Sequence, residues 1–188
     1  NSIAYSSNGS SYTGKGTTLF TIGHDAVYYN SLYVLTGEGT NSIITTSNLS
    51  SWNQYGYTML PLGYSIGSNS SDLAIAGGGP TNIYFHPSYD GLYSSTNGTQ
   101  WTLNYSGGGG YPQCCAYSPA QKRWVVGRYG STSSLNFMYS DDNGVSWTHS
   151  ANNSVFAGAG PYVSSVATNG TNKWIGLIRT AGGGETNY

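Results

Sequence analysis

Short runs of β-branched and aromatic residues alternate along the whole chain with turns made of Asn, Gly and Ser. Residues 26–30, AVYYN, are followed at once by a second such run at 33–35, and residues 166–169 are followed in the same way by 174–177. Runs of this kind, separated by tight turns, are typical of antiparallel β-strands. No segment of useful length shows the three-to-four spacing of an amphipathic helix. The pattern therefore predicts an all-β protein.

A polar turn recurs four times among these runs. The copy at 139–148 reads YSDDNGVSWT, and altered copies occupy 93–102, 45–53 and 5–13. In each copy an aromatic residue follows the glycine position by three, and these aromatic residues are Tyr12, Trp52, Trp101 and Trp147. Their separations of 40, 49 and 46 residues match the length of a four-stranded β-propeller blade.

We therefore expect a single β-propeller domain over 1–188. Its blade repeats are predicted at about 14–54, 55–104 and 105–149, with the fourth assembled from 150–188 plus 1–13. In this arrangement residues 2–6 pair with 173–178, because an unpaired inner hairpin leaves backbone groups open. The pairing closes a four-bladed ring within one chain, or joins neighbouring chains. The alternative is that the sequence is a fragment of a larger propeller.

The turn at 139–148 carries the string Ser-x-Asp-x-Gly-x-x-Trp, formed by Ser140, Asp142, Gly144 and Trp147. The third copy keeps Ser94, Gly98 and Trp101 but has Thr96 in place of Asp. The string resembles the Asp-box (BNR repeat) of sialidase-like propellers, in degenerate copies similar to those of tandem surface proteins of microbes and large viruses. The resemblance implies a structural hairpin turn between the last two strands of a blade. We expect Trp101 and Trp147 to be mostly buried, with bonded indole N–H groups.

Composition narrows the range of partners. Only 7% of residues are Asp, Glu, Lys or Arg, the net charge is −1, and 14% of residues are aromatic, including 18 Tyr. So few dispersed cations give no electrostatic footprint for nucleic acid or anionic lipid. No apolar run approaches the roughly 20 residues of a membrane span. We expect neither nucleic-acid binding nor membrane insertion.

Catalytic chemistry is not expected. A sialidase needs an arginine cluster and paired acidic groups, whereas this chain has three arginines (Arg123, Arg128, Arg179) and two glutamates (Glu38, Glu185). Asp25, Asp72 and Asp90 are scattered, and His24, His86 and His149 lack the spacing of a metal motif. The prediction is a protein that is not an enzyme and holds no catalytic residue, metal or cofactor.

The cysteines are adjacent, at Cys114 and Cys115, so a strand would place one in the core and one on the surface. A vicinal disulfide or an intermolecular bridge is the alternative. Asn-x-Ser/Thr sequons, which favour a secreted or surface glycoprotein, occur at Asn8, Asn48, Asn69, Asn97, Asn104, Asn152 and Asn169. We expect an extracellular or surface location.

Three functions remain open. The first is a structural module of a surface fibre, layer or virion decoration, which associates with itself or with neighbouring subunits. The second is a lectin-like propeller that binds glycans on aromatic faces, drawn from Tyr28, Tyr29, Tyr55, Tyr57, Tyr64, Tyr105, Tyr111 and Tyr162. The third and least favoured is a sialidase-like glycosidase. The sequence slightly favours the first.

Overall fold

The computed structural model describes residues 2–55, 60, 62–70, 74–79, 91–107, 110–129, 136–151 and 162–179. Every regular element in that part of the chain is a β-strand, which agrees with the all-β prediction. The strands are β1 (Ala4–Tyr5), β2 (Thr13–Gly14), β3 (Ile22–Tyr29), β4 (Leu32–Glu38), β5 (Ile43–Thr46), β6 (Asn53–Gln54), β7 (Leu62–Ser68), β8 (Ala74–Gly79), β9 (Gly91–Ser95), β10 (Thr102–Ser106), β11 (Pro112–Ser118), β12 (Arg123–Arg128), β13 (Phe137–Ser140), β14 (Thr148–His149), β15 (Tyr162–Thr168) and β16 (Trp174–Arg179).

These strands form three four-stranded antiparallel sheets and two two-stranded hairpins. Sheet I contains β3–β6, sheet II β7–β10 and sheet III β11–β14, each in chain order as a simple meander. The N-terminal hairpin is β1–β2 and the C-terminal hairpin is β15–β16. The architecture is therefore propeller-like, with three complete blade-like sheets where four blades were predicted.

Successive sheets stack through their first strands, so that β3 packs on β7, β7 on β11 and β11 on β15. Apolar side chains fill the spaces between them. Tyr29, Val34 and Ile43 of sheet I meet Ile66 and Trp101 of sheet II in one cluster. A meander sheet inside such a stack can bury both of its faces, because each face meets a neighbouring sheet.

The predicted closure of the ring within one chain is wrong for this structure. In the described part of the chain, β1 pairs only with β2 and β16 only with β15, and β15 does not pack extensively on β3. The N-terminal hairpin is instead held on sheet I, where Ile3 packs against Phe20 and Ile44. This local burial fixes the hairpin beside the first sheet and away from the last one.

The same irregularity marks the first two strands of all four stacked units, and it gives them a common register. A bulge falls after Gly23, Gly63, Pro112 and Val163. On the second strand of each unit, the first residue paired after the bulge is, in chain order of the four units, Thr36, Gly77, Gly127 and Leu177. The third paired residue on the same strands is, in the same order, Val34, Ile75, Val125 and Ile175. These positions are structurally equivalent in the four units.

Candidate functional site

The four repeat turns, at 6–12, 46–52, 95–101 and 140–147, share one hydrogen-bond scheme. A Ser or Thr hydroxyl and an Asn or Asp side-chain oxygen each accept backbone N–H groups of the turn. Ser140 Oγ accepts from Gly144 N and Asp142 Oδ1 from Ser146 N, both at 2.8 Å. The equivalent pairs are Ser6 with Asn8, Thr46 with Asn48, and Ser95 with Asn97. Such side chains stabilise tight turns by replacing missing backbone partners.

In the third copy the hydroxyl of the turn belongs to Ser95, and the predicted Ser94 has a different role. Ser95 Oγ accepts from Gly98 N at 2.8 Å, whereas Ser94 Oγ donates to Asn104 Oδ1 at 2.8 Å. This turn is one residue shorter than the one at 140–147, so alignment on its glycine and tryptophan displaces the serine by one position. Asn97 then stands where Asp142 stands, and the expectation for Thr96 was misplaced as well.

The two tryptophans of these turns differ in their surroundings. Trp101 is 8% exposed and packs between sheets I and II, but its indole Nε1 has no hydrogen-bond partner among the described residues. Trp147 is only partly buried, and its Nε1 donates to the Gly144 carbonyl oxygen at 3.1 Å. The expected burial therefore holds for Trp101 and the expected hydrogen bond for Trp147.

Asp142 gives its turn a pH dependence. Hydrogen bonds from the Ser146 hydroxyl and backbone N–H, with a smaller one from Ser140, lower the pKa of Asp142 to about 2. A carboxylate with a depressed pKa stabilises the fold fully above its ordinary pKa of 3.8, and this contribution is lost as pH falls through about 2. Because the side chain is exposed, solvent screens part of the effect.

We expect the turn at 140–147 to weaken in acid as this carboxylate takes up a proton. Asp142→Asn keeps the accepting oxygen that Asn8, Asn48 and Asn97 use in the other copies, but it cannot titrate. Urea unfolding should therefore show the wild type losing more stability than Asp142→Asn between pH 4 and pH 2. Parallel pH profiles for the two proteins would contradict this prediction.

Both cysteines lie between sheets, on opposite faces of β11. Cys114 Sγ lies 3.5 Å from the Val163 carbonyl oxygen and Cys115 Sγ lies 3.9 Å from that of Ile75. The expectation of one surface cysteine is wrong, because sheet III is covered on both faces. Both thiols are free in this structure. Burial raises the pKa of Cys114 to about 12 and raises that of Cys115 further, which makes both poor nucleophiles.

Turn chemistry accounts for several of the sequons. The side-chain oxygens of Asn8, Asn48, Asn97 and Asn169 all accept turn N–H groups, so the asparagine of each of these four sequons also stabilises its turn. The amide nitrogen of Asn104 donates to the Gly144 carbonyl oxygen of the next sheet at 2.8 Å and is committed there. That of Asn69 approaches Asn143 Oδ1 at 3.4 Å, and Asn152 lies outside the described residues.

An aromatic row runs across the three sheets near the bulges of their first strands. Its members are His24, Tyr64, Tyr111 and Tyr129. Ring centroids are 5.1 Å apart for the first pair, 5.2 Å for the second and 5.0 Å for the third. Tyr64 and Tyr111 were among the residues proposed to contact sugars, whereas His24 and Tyr129 were missed, because only the stacking of sheets aligns them.

The other candidate tyrosines are dispersed. Tyr29 is buried and its hydroxyl donates to the Thr96 carbonyl oxygen at 2.8 Å. Tyr55 packs at the edge of the cluster between sheets I and II, and Tyr105 lies edge-on to His149. Tyr28 is exposed. Tyr57 and the side chain of Tyr162 lie outside what the structure describes.

The outer face of the C-terminal hairpin, carried by Ile175 and Leu177, is exposed; we call it the trailing face. Ile175 is 65% exposed and Leu177 60%. The equivalents of Ile175 in the first two sheets, Val34 and Ile75, are each 0% exposed because the next sheet covers them. The trailing face thus has the side chains of an interior sheet interface without a covering sheet in the described part of the chain.

The opposite end of the stack shows the matching face. This leading face, on sheet I, carries Tyr28 and Tyr33, whose ring centroids are 4.9 Å apart. The equivalent pair in sheet III, Tyr117 and Trp124, has centroids 5.0 Å apart and packs in the cluster between sheets II and III. Tyr28 and Tyr33 are instead exposed. Both ends of the stack therefore have apolar faces of the interior type.

The charged groups of the described residues are mostly occupied by structural partners. Asp25 accepts the N–H groups of Ala26 and Ile66, and Asp141 forms two hydrogen bonds to Arg123. Glu38 lies 3.6 Å from His24. No cluster of three or more His, Cys, Asp or Glu occurs within the ranges that the structure describes. His86, Asp72, Asp90 and Glu185 fall outside those ranges.

The solved structures include a similar fold. An ancestral GH74 enzyme matches with a TM-score of 0.54 and 16% sequence identity, over 77% of this chain and 20% of that one. This chain therefore spans about a fifth of the length of that enzyme, and the likeness shows a propeller-like fold alone. No family model matches the sequence, and no curated protein does. The described residues contain no helix long and apolar enough to cross a membrane.

Proposed function

We propose that this chain is a non-enzymatic, extracellular structural module that associates through the two end faces of its stack of sheets. The observation that carries the proposal is the exposure of Ile175 and Leu177, because their counterparts in sheets I and II are buried beneath the next sheet. Contiguous apolar surface of this kind marks interaction sites in soluble proteins. The side chains of Asn8 and Asn169 serve their turns but are exposed, so a glycan at either sequon would suit an extracellular location.

The expected strength of this association follows from the apolar area. Fully burying an Ile or Leu side chain contributes about 1.5–3 kcal/mol, and each 1.4 kcal/mol is about a tenfold change in affinity. Low net charge favours the association, because it gives little repulsion between copies. Replacing Ile175 with Asp should therefore weaken self-association by about tenfold or more.

Sedimentation equilibrium over a wide range of concentration tests the proposal. We expect the wild-type mass to rise with concentration and the mass of Ile175→Asp to stay near that of a monomer. Val145→Asp is the matched control, because Val145 is also an exposed apolar residue but lies in the turn at 140–147, away from the end faces. A wild type that remains monomeric throughout, or equal losses for both variants, would exclude this function.

A second candidate function, glycan binding, is supported by the aromatic row. Sugar sites combine aromatic surfaces with polar groups, and His24, Tyr64, Tyr111 and Tyr129 form such a surface beside Glu38. Stacking of the central rings on one another leaves less free ring face for a ligand. A glycan array would show binding that Tyr64→Ala abolishes and Tyr28→Ala preserves. A blank array with the wild type would exclude this candidate.

Catalysis is the weakest candidate. The similar solved structure is named a GH74 enzyme, but a glycosidase needs two carboxyl groups free to act as acid and as nucleophile or base. In the described residues, Asp25, Asp141 and Asp142 are bound by backbone N–H, guanidinium or turn groups. A purified sample that cleaved a sialoside or another glycoside at an enzymatic rate would overturn the non-enzymatic proposal.

A further inference from the structure

We propose that the N-terminal hairpin of one copy completes the C-terminal hairpin of a second copy, so that β15, β16, β1 and β2 form one four-stranded sheet shared by two chains. This inference rests on the proposed function and names its partner as another copy of this chain. It also states which residues of β16 pair with which residues of β1 in the other copy, and which side chains the two copies bring into contact.

The N-terminal hairpin has the geometry of the outer half of a sheet. Residues 1–3 repeat residues 41–43, and Lys15 N donates to the Ile3 carbonyl oxygen as Tyr55 N donates to that of Ile43. Strand β1 is therefore equivalent to β5. However, β5 pairs with β4 along its other edge, whereas β1 has no partner on that edge in the described part of the chain.

The C-terminal hairpin is the complementary half. Strands β15 and β16 carry the same bulge and register as β3 with β4, but no third strand lies beside β16 among the described residues. An edge of this kind presents a row of unpaired backbone N–H and C=O groups, which can accept a further strand. One copy thus has the inner pair of strands and the other has the outer pair.

Contacts between neighbouring sheets follow a size rule that the end faces also obey. At each interior interface, the residue just before the bulge on the first strand of one sheet contacts a residue on the second strand of the preceding sheet. That second residue is the first one paired after the bulge, and one residue of each contacting pair is glycine. The pairs are Gly63 with Thr36, Pro112 with Gly77, and Val163 with Gly127. The corresponding pair between copies is Gly23 with Leu177, again a glycine opposite a larger residue.

Within a single copy, Gly23 makes one of the two close contacts that Gly63 makes at an interior interface. A Cβ built on Gly63 would lie 2.5 Å from the Ser42 carbonyl oxygen and 2.8 Å from Thr36 Cβ. A Cβ built on Gly23 would lie 2.7 Å from the Ser2 carbonyl oxygen, the counterpart of Ser42, but it meets no counterpart of Thr36. A groove of about 450 Å³ lies at this place between β1 and sheet I. Leu177 of a second copy has the right position to enter it.

A second groove receives the turn of the partner. It has a volume of about 430 Å³, lies between sheet III and β16, and is lined by apolar residues that include Val125, Phe137 and Ile178. Val125 is the equivalent of Val34, on which Trp101 of the following sheet packs. Tyr12 occupies the position of Trp101 in the N-terminal hairpin and is 67% exposed. In the shared sheet Tyr12 covers this groove.

The register follows from sheet I, where Leu35 pairs with Ile44 and Val34 with Thr45. By equivalence Gly176 pairs with Ala4 and Ile175 with Tyr5 of the other copy. In sheet I the Gly37 N–H donates to the Ser42 carbonyl oxygen at 3.1 Å, so Val34 and Thr45 are a non-hydrogen-bonded pair, the type with the closer side chains. Because the two faces differ, the contact is heterologous and propagates from copy to copy.

Disulfide trapping tests this register. Separately purified Ile175→Cys and Tyr5→Cys chains are mixed and oxidised mildly, and we expect a covalent heterodimer on a non-reducing gel. The matched control pairs Ile175→Cys with Ala4→Cys, because neighbouring residues of a strand face opposite sides, and it should remain uncrosslinked. Cys114 and Cys115 should give little background, because both thiols lie between sheets and their pKa values are raised.

The outcomes separate this inference from the proposed function. Concentration-dependent association without the heterodimer, or crosslinking by Ile175→Cys alone, would overturn the shared sheet while self-association stands. A monomeric wild type would overturn both. Tyr12→Asp provides a second measurement, because Tyr12 is exposed in the single copy. It should lower association by about tenfold or more with an unchanged circular dichroism spectrum, and undiminished association would contradict the inference.

Discussion

Trp101→Ala is expected to lower the free energy of unfolding by about 3–5 kcal/mol, the range for deleting a buried indole. Trp101 lies in the cluster between sheets I and II with Tyr29, Val34 and Ile66. Its removal leaves a cavity that the two sheets can close only by moving together, and the strands on both sides are already paired. The indole N–H lacks a partner among the described residues, so almost the whole contribution of Trp101 is packing.

Tyr12→Ala is the matched control for this variant. Tyr12 occupies the same position in its repeat turn but is 67% exposed, and exposed substitutions change stability by about 0.5 kcal/mol or less. Urea unfolding at a concentration where the chain is monomeric measures both variants. Equal losses, or a loss below about 1 kcal/mol for Trp101→Ala, would show that the turn aromatic does not support the packing between sheets.

The all-β class and the repeat were readable from the sequence because both rest on local chemistry. Strand runs and Asn-Gly turns are short-range signals, and the 40-residue offset between residues 1–3 and 41–43 locates equivalent strands. The turn at 140–147 has the side-chain bonds that its Ser and Asp predict. The same local reasoning failed at Ser94, because a turn shortened by one residue changes which serine meets the turn amides.

The arrangement of the ends was not predictable by the same reasoning. The expected pairing of residues 2–6 with 173–178 is a long-range contact, which sequence periodicity suggests but the described part of the single chain does not form. Burial of Ile3 against Phe20 and Ile44 keeps the N-terminal hairpin beside sheet I. The aromatic row depends on the relative positions of three sheets, and the faces of Cys114 and Cys115 depend on sheets on both sides of β11.

Gly127→Ala is expected to cost about 1–3 kcal/mol, the range for overfilling a packed interior. A Cβ built on Gly127 would lie 2.6 Å from both the Cβ of Val163 and the Sγ of Cys114. Val163 is fully buried and belongs to β15, so the new methyl group pushes the C-terminal hairpin away from sheet III. Gly107→Ala is the control, because a Cβ there meets nothing within 4 Å and only the positive φ of 99° is strained.

A double-mutant cycle with Val163→Ala tests the size rule on which the contact between copies depends. Val163→Ala alone should cost roughly 2 kcal/mol for its two lost methyl groups. In the double variant, however, the methyl group added at position 127 occupies part of the space that the valine leaves. The combined loss should therefore fall short of the sum by about 1 kcal/mol or more, within the range for residues in direct contact. Strict additivity would mean that Gly127 and Val163 do not compete for the same space, and the pairing of Gly23 with Leu177 would then lose its basis.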